Sequence, residues 1–170
     1  ALQRELSFQR ADHLLKRIDL SAGQGYPDFK DNEAFIAEQP IRRMSRLTQR
    51  LLSSIDYADV AQIRRNNFSY LHKILLQANN LTRIISQYIN QDNFVPFVYP
   101  FMISNGAALR QQLIDQKIYV PKYWPSDMLD ANKLSPIENK FIEDVVPLPI
   151  DQRYDDKDID RILDVINGKN

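Results

Sequence analysis

The sequence contains no cysteine, which excludes a disulfide framework and any thiolate metal site. It also lacks an uninterrupted apolar run long enough to cross a bilayer, and its first residues lack the apolar core of a signal peptide. Its 22 basic side chains are balanced by 22 acidic ones, which removes the usual electrostatic basis for binding nucleic acid or an anionic membrane. We therefore expect a cytoplasmic protein with no nucleic-acid or membrane partner. The chain begins at Ala1 instead of methionine, which suggests processing or a cut from a longer chain.

Glycine is scarce, with four residues, and the first 90 residues contain only Pro27 and Pro40. Because these two residue types disfavour helices, their scarcity permits long helices in this half. Apolar residues spaced three and four apart predict helices at 2–20, 41–55, 58–79 and 81–89. The stretch Ser21–Asp28 has turn chemistry and predicts a loop. Composition changes near residue 92, which divides the chain into a helical segment, 1–91, and a small C-terminal α/β domain, 92–170.

Strands and helices alternate in the second half. Aromatic and β-branched residues predict strands at 94–103, 118–120 and 147–150. Helix starts are indicated by Ser104–Gly106, by a capping box of Ser135 and Glu138 with Pro136 between them, and by Asp155 and Asp156; Gly168 ends the last helix. The sequence therefore predicts an α+β fold, with long N-terminal helices followed by a small α/β domain in which helices pack on a short sheet.

Side chains with catalytic or metal-binding chemistry are few. His13 and His72 both lie on predicted helices without metal-ligand spacing, and a structural role is favoured for His72. The acidic run 151–160 lacks the glycine and terminal glutamate of a calcium loop and coincides with a helix start, so capping is favoured over calcium binding. The pair Gly23 and Gly25 lacks the third glycine of a dinucleotide fingerprint and is interpreted as a turn.

Two other groups of residues leave alternatives open. A basic stripe at helical spacing is a solvated face or a phosphate-binding surface: Arg42, Arg43, Arg46 and Arg50. Tyr119, Tyr123 and Trp124 lie among prolines in a loop, where they either pack or line a ligand-binding loop.

Two stretches resemble the DegT-type sugar aminotransferases. The first runs from Arg43-Met44-Ser45 through a helix ending at Asp56 to a long helix with Arg64, Arg65, Asn66, Asn67, Phe68, Tyr70 and Leu71. The second contains Leu113–Pro121, Glu138–Val146, Leu148-Pro149-Ile150 and Asp155–Ile166, which look like the family's C-terminal ending. Together they span roughly residues 40 to 167, and their order and spacing carry the resemblance.

The resemblance implies the C-terminal portion of a fold-type-I, pyridoxal phosphate (PLP) dependent protein. In that family a large N-terminal domain carries the Schiff-base lysine, and a smaller C-terminal domain covers the site. It implies a homodimer in which the parent protein uses PLP, a nucleotide sugar and an amino donor. None of the nine lysines here lies in a family lysine motif. We therefore expect this chain to hold no PLP and to catalyse no transamination alone.

The resemblance assigns four positions to the site. Arg43 and Ser45 are candidate cofactor-binding residues, and Tyr123 and Trp124 are candidate substrate-binding residues. The chain departs from the family at Ile41, where the family has asparagine, and at 122–126, where a histidine is missing. These departures motivate an alternative, a non-catalytic interaction or regulatory module that retains this fold.

Overall fold

A computed structural model describes residues 10–41, 43–91, 93–123 and 134–168. The chain divides into two compact units, residues 1–55 and residues 56–170. The composition change near residue 92 therefore lies inside the second unit. No helix among the described residues combines the length and the apolar character that a membrane span requires.

The first unit contains three helices in its described residues: α1 (Asp12–Asp19), α2 (Ala22–Ala37) and α3 (Arg46–Ser53). Helices α1 and α2 pack against each other at Gly25, which is buried. A Cβ at Gly25 would lie 2.6 Å from the His13 carbonyl oxygen, so only glycine permits this approach. An ion pair of 2.7 Å between Lys16 and Asp28 joins the same two helices.

The predicted loop Ser21–Asp28 is wrong, because most of it is helical. The Ser21 hydroxyl caps α2 by accepting a hydrogen bond from the backbone N–H of Gln24, and Pro27 lies inside the helix. Gly25 thus allows the two helices to pack closely. From composition alone, a glycine in this role looks the same as a glycine in a loop. Helix α3 begins at Arg46, later than predicted, because Ser45 is its N-cap. The predicted helix at 2–20 is observed from Asp12, and residues 1–9 lie outside the described residues.

The second unit contains five helices and two strands in its described residues. In chain order they are α4 (Tyr57–Leu75), α5 (Thr82–Ile85), β1 (Tyr99–Met102), α6 (Gly106–Asp115), α7 (Pro136–Asp144), β2 (Val145–Leu148) and α8 (Asp156–Ile166). The strands pair antiparallel, with Tyr99 opposite Leu148 and Met102 opposite Val145. Pro100 faces Pro147, a pair without N–H groups, which a two-stranded sheet tolerates because each strand is an edge.

One apolar core lies between the sheet and helices α4, α6 and α8. Its fully buried members are Leu71, Tyr99, Phe101, Leu113, Val146, Leu148, Ile150, Ile159 and Ile162. The spacing of Ile159, Ile162, Leu163 and Ile166 predicts one apolar face on the last helix. The first three of these side chains are buried, and Ile166 is half-buried. Both predicted helix starts at Ser135 and Asp155 are confirmed as complete capping boxes, and Gly168 has the positive φ expected of a helix end.

The α+β class is confirmed, but the predicted three-strand alternation is wrong within the described residues. Ile118–Val120 is not a strand. Lys117 has a φ of 62°, its N–H donates to the Ile114 carbonyl, and the Ile118 N–H donates to the Leu113 carbonyl. This is a Schellman motif that closes α6. It uses the Ile118 N–H, which a strand would need for pairing. The buried Ile118 side chain is the apolar residue that accompanies such a motif.

Candidate functional site

The sequence-predicted site residues fall in both units. Arg43 is exposed and lies before α3, and the Ser45 hydroxyl accepts a hydrogen bond of 3.1 Å from the Thr48 N–H as the N-cap of α3. Tyr123 lies in the second unit, where its ring packs against Phe97 at a centroid distance of 6.1 Å. Trp124 lies outside the described residues.

Tyr123 lines a cleft in the second unit. The walls come from the first turn of α6, the end of α7, the start of β2 and the segment 121–123. The cleft has a volume of about 80 Å³. Apolar wall residues include Pro121, Phe141 and Pro147, and polar ones include Arg110, Lys122 and Glu143. Burial raises the pKa of the Tyr123 phenol, so this side chain is a neutral hydrogen-bonding group at physiological pH.

The charges of the cleft are unevenly paired. Lys122 and Glu143 form an ion pair with an N–O distance of 3.1 Å. Arg110 extends from the middle of α6, and its Nε is shielded from solvent without a hydrogen-bond partner among the described residues. Sequence reasoning missed Arg110, because a single arginine on an amphipathic helix has no distinguishing pattern.

The start of α6 is held by a residue that is distant in sequence. Asn105 has a φ of 65°, a conformation that asparagine tolerates better than most residues. The predicted helix start at Ser104–Gly106 is confirmed with Asn105 as the N-cap, but the Asn105 side chain makes no cap hydrogen bond. Instead, Oδ1 of Asp144 accepts hydrogen bonds from the Asn105 and Gly106 N–H groups at 3.1 and 3.4 Å. Gly106 permits this contact, because a Cβ there would lie 2.3 Å from the Asp144 carbonyl oxygen.

A buried polar network connects the end of α4 with β1. The Asn79 amide donates to the Tyr99 hydroxyl at 3.0 Å and to the Pro100 carbonyl at 2.9 Å, while its Oδ1 accepts from the Leu81 and Met102 N–H groups. The Tyr99 hydroxyl lies 3.2 Å from Nδ1 of His72. The Ser86 hydroxyl donates its hydrogen to the Thr82 carbonyl, so it can only accept from Nε2 of His72. In the neutral ring Nδ1 is then the acceptor, and the Tyr99 hydroxyl donates to it.

The same network shows that the His72–Ser86 pair is not a catalytic dyad. With Nδ1 accepting, Nε2 of His72 carries the hydrogen and donates to Oγ of Ser86, 3.3 Å away. Oγ of Ser86 donates in turn to the Thr82 carbonyl at 2.8 Å. The serine therefore has no base to remove its proton. Burial lowers the pKa of His72, which keeps the ring neutral. The structural role favoured for this residue agrees with these contacts.

The two stretches that resemble the aminotransferase family contact each other in the structure: side chains of α4 bond to residues near the C-terminus. Nδ2 of Asn67, a buried side chain, lies 3.3, 3.4 and 3.1 Å from the carbonyl oxygens of Ile150, Asp151 and Tyr154. The Tyr70 hydroxyl donates to Asp160 at 2.7 Å, and this hydrogen bond raises the pKa of the tyrosine. Both halves of the motif thus meet at one contact between α4, the loop after β2 and α8.

Two neighbouring arginines of the same motif hold the segment before β1. Arg64 donates to the Pro96 and Phe97 carbonyls at 3.2 and 3.1 Å, and Arg65 donates to the Phe94 carbonyl at 2.8 Å. These side chains fix the path of the chain beside the cleft, because Phe97 also packs on Tyr123. Their contacts are structural, since each arginine donates to main-chain carbonyls.

The acidic run 151–160 supplies caps and an ion pair. Asp151 pairs with Arg153 at 2.8 Å, and that hydrogen bond lowers the pKa of the carboxyl group. Asp155 and Asp158 form the capping box of α8. The residues that the structure describes contain no cluster of three or more histidine, aspartate or glutamate side chains suited to a metal ion.

No protein-family model matches the chain, and no curated protein or solved structure matches it either. The assignment of function therefore depends on the residues described above.

Proposed function

We propose that this chain is the C-terminal portion of a PLP-dependent sugar aminotransferase-like protein of nucleotide-sugar biosynthesis. One observation supports this more than any other: Asn67 and Tyr70, in the first stretch of the resemblance, bond directly to Ile150 and Asp160 of the second stretch. A family motif whose separate parts meet in space has a physical reason to occur together. The parent protein would act as a cytoplasmic homodimer on a nucleotide sugar with an amino donor.

In this proposal the chain's own residues supply only part of a PLP site. Catalysis with PLP needs a lysine that forms the Schiff base and then moves the α-proton. The nine lysines lie outside the family's lysine motif. The Ser45 hydroxyl is engaged as a helix cap with Thr48, which leaves Arg43 as the freer of the two candidate cofactor contacts. The role that we propose for the chain is therefore to cover a site whose lysine belongs to another part of the parent, with Tyr123 and Trp124 on the substrate side.

The experiment compares the product of the gene's complete reading frame with the 170-residue chain. We expect the complete product to show the visible absorbance of a lysine–PLP aldimine, and borohydride to abolish it. The 170-residue chain, incubated with PLP, serves as the control and should show no stable band. If the complete product binds no PLP, the non-catalytic regulatory module becomes the better account.

A further inference from the structure

Two of the four glycines in the chain directly follow an asparagine, at Asn105–Gly106 and at Asn167–Gly168. In such a pair the backbone nitrogen of the glycine can attack the side-chain Cγ of the asparagine, because glycine has no side chain to hinder the approach. The new C–N bond closes a succinimide ring, and the side-chain nitrogen leaves as ammonia. Water then opens the ring to give aspartate or isoaspartate. Since the two pairs have the same chemistry, the fold decides which of them reacts.

The first pair is fixed at the start of α6, with its glycine against the backbone of Asp144. Gly106 is buried, and a Cβ there would lie 2.3 Å from the Asp144 carbonyl oxygen. Oδ1 of Asp144 also accepts hydrogen bonds from the Asn105 and Gly106 N–H groups, at 3.1 and 3.4 Å. The attack needs a glycine nitrogen that has lost its proton, and the negative charge of Asp144 disfavours that anion. Reaction at Asn105 therefore requires the start of α6 to open first.

The second pair lies at the exposed end of α8. Asn167 and Gly168 are both exposed, and a Cβ at Gly168 would meet nothing within 4 Å. The Gly168 N–H donates to the Val165 carbonyl at 3.1 Å, which is a neutral group of the same helix. Because helix ends fray, this nitrogen becomes free to react without any change in the core.

From this difference we infer that Asn167 is a site of spontaneous deamidation, and that Asp144 protects Asn105 from the same reaction. The reaction consumes water, releases ammonia and involves no oxidation or reduction. Its product places a carboxylate at the C-terminal end of α8, where the negative end of the helix dipole repels it. The inference goes beyond the proposed function and does not depend on it, because it rests on contacts of the second unit alone.

The test is incubation of the folded 170-residue chain in neutral buffer, with deamidation at each site measured by peptide mapping and mass spectrometry. We expect Asn167 to react about tenfold faster than Asn105, or more, because hydrogen bonds to a charged carboxylate must open before Gly106 can react. The same chain unfolded in guanidinium chloride is the control, since unfolding removes the contacts of Asp144. In that state the two sites should react at similar rates.

Substitutions then test the protective role of Asp144. Asp144→Ala should raise the rate at Asn105 by about tenfold and leave the rate at Asn167 unchanged. Asp144→Asn, which removes the charge and keeps an oxygen acceptor, replaces it if circular dichroism shows that Asp144→Ala does not fold, and it should also raise the rate at Asn105. Glu143→Ala is the matched control, because it removes the adjacent carboxylate, which pairs with Lys122 at 3.1 Å, and should leave both rates unchanged.

Three results would overturn the inference. The first is an Asn167 that reacts no faster than Asn105 in the folded chain. The second is a difference between the two sites that persists in guanidinium chloride, since local sequence would then be its cause. The third is a folded Asp144 variant in which Asn105 reacts as slowly as it does in Glu143→Ala.

Discussion

Replacing Asn67 by aspartate changes an amide into a carboxylate of nearly the same shape at a buried position. The Asn67 side chain is 5% exposed, and its Nδ2 faces three carbonyl oxygens of residues 150–154 at 3.1 to 3.4 Å. An ionised carboxylate has no hydrogen to donate, so these carbonyls lose their partner and face a negative charge. The substitution therefore removes the contact that joins the two halves of the motif without creating a cavity.

The magnitude follows from the number of donors lost. The amide has two hydrogens, and a buried acceptor left without a donor costs about 1–3 kcal/mol. We expect Asn67→Asp to lower the free energy of unfolding by roughly 2–4 kcal/mol at neutral pH. This is a large share of the 5–15 kcal/mol that is typical of a folded domain.

The loss should also depend on pH. A protonated aspartic acid regains one donor, so the folded state favours the protonated form and raises the pKa of the introduced carboxyl group above its unfolded value of about 3.9. A group whose folded pKa is raised stabilises the fold at low pH and loses that contribution as pH rises. The deficit of Asn67→Asp should therefore be smaller at about pH 5 than at about pH 7.5.

Urea unfolding followed by circular dichroism measures this free energy, and Asn66→Asp is the matched control. Asn66 is the adjacent residue, it is exposed, and its Oδ1 accepts a hydrogen bond of 2.9 Å from Gln62. An exposed change of this kind should alter stability by about 0.5 kcal/mol or less. Equal losses for the two variants at neutral pH, or a loss for Asn67→Asp that does not change with pH, would refute the reasoning.

Three further substitutions test other contacts through the same unfolding measurement. Gly106→Ala should cost about 1–3 kcal/mol, because overpacking against rigid groups is destabilising and the nearest atoms to the new Cβ belong to the Asp144 backbone. Ser135→Ala should cost about 0.5–2 kcal/mol through loss of the α7 cap. His72→Gln should make the free energy of unfolding less sensitive to acid. Burial lowers the folded pKa of His72, so the stability that this residue contributes is complete above its unfolded pKa of about 6.5 and declines as pH falls below that value.

Each of these predictions has a clear contrary result. Gly23→Ala is the control for the glycine change, since its Cβ would meet nothing within 4 Å, and comparable losses at both glycines would show that packing is not the cause. An unchanged unfolding midpoint for Ser135→Ala would show that the Ser135 cap does not contribute to stability. If the stability of His72→Gln falls in acid as much as that of the wild-type protein, another group causes the pH dependence.

The features predicted correctly from sequence are those that depend on neighbouring residues. The predicted capping box at Ser135 and the predicted cap at Asp155 need only a side chain and the backbone three residues later, so each pattern is complete within four positions. The amphipathic face of α8 is equally local. The same locality explains the error at Ile118–Val120, where apolar content predicts a strand although the chain is closing a helix at Lys117.

The candidate site depends on contacts that sequence spacing does not show. Asn67 reaches carbonyl groups 83 to 87 positions away, and Asp144 caps a helix that begins 38 positions earlier. Arg110 becomes distinctive only once the fold places it in the wall of the cleft with Pro121, Phe141 and Pro147. A loop predicted at Ser21–Asp28 is wrong for a related reason, because Gly25 is required by the backbone of His13 in another helix.

If this chain is the C-terminal portion of a PLP-dependent protein, as we propose, the Schiff-base lysine lies elsewhere in the parent. Peptide mapping by mass spectrometry, after borohydride reduction of the complete reading-frame product with PLP, tests it directly. We expect one pyridoxyl-lysine, located outside this 170-residue chain. A stoichiometric adduct on any of the nine lysines of this chain, or no specific adduct at all, would contradict it.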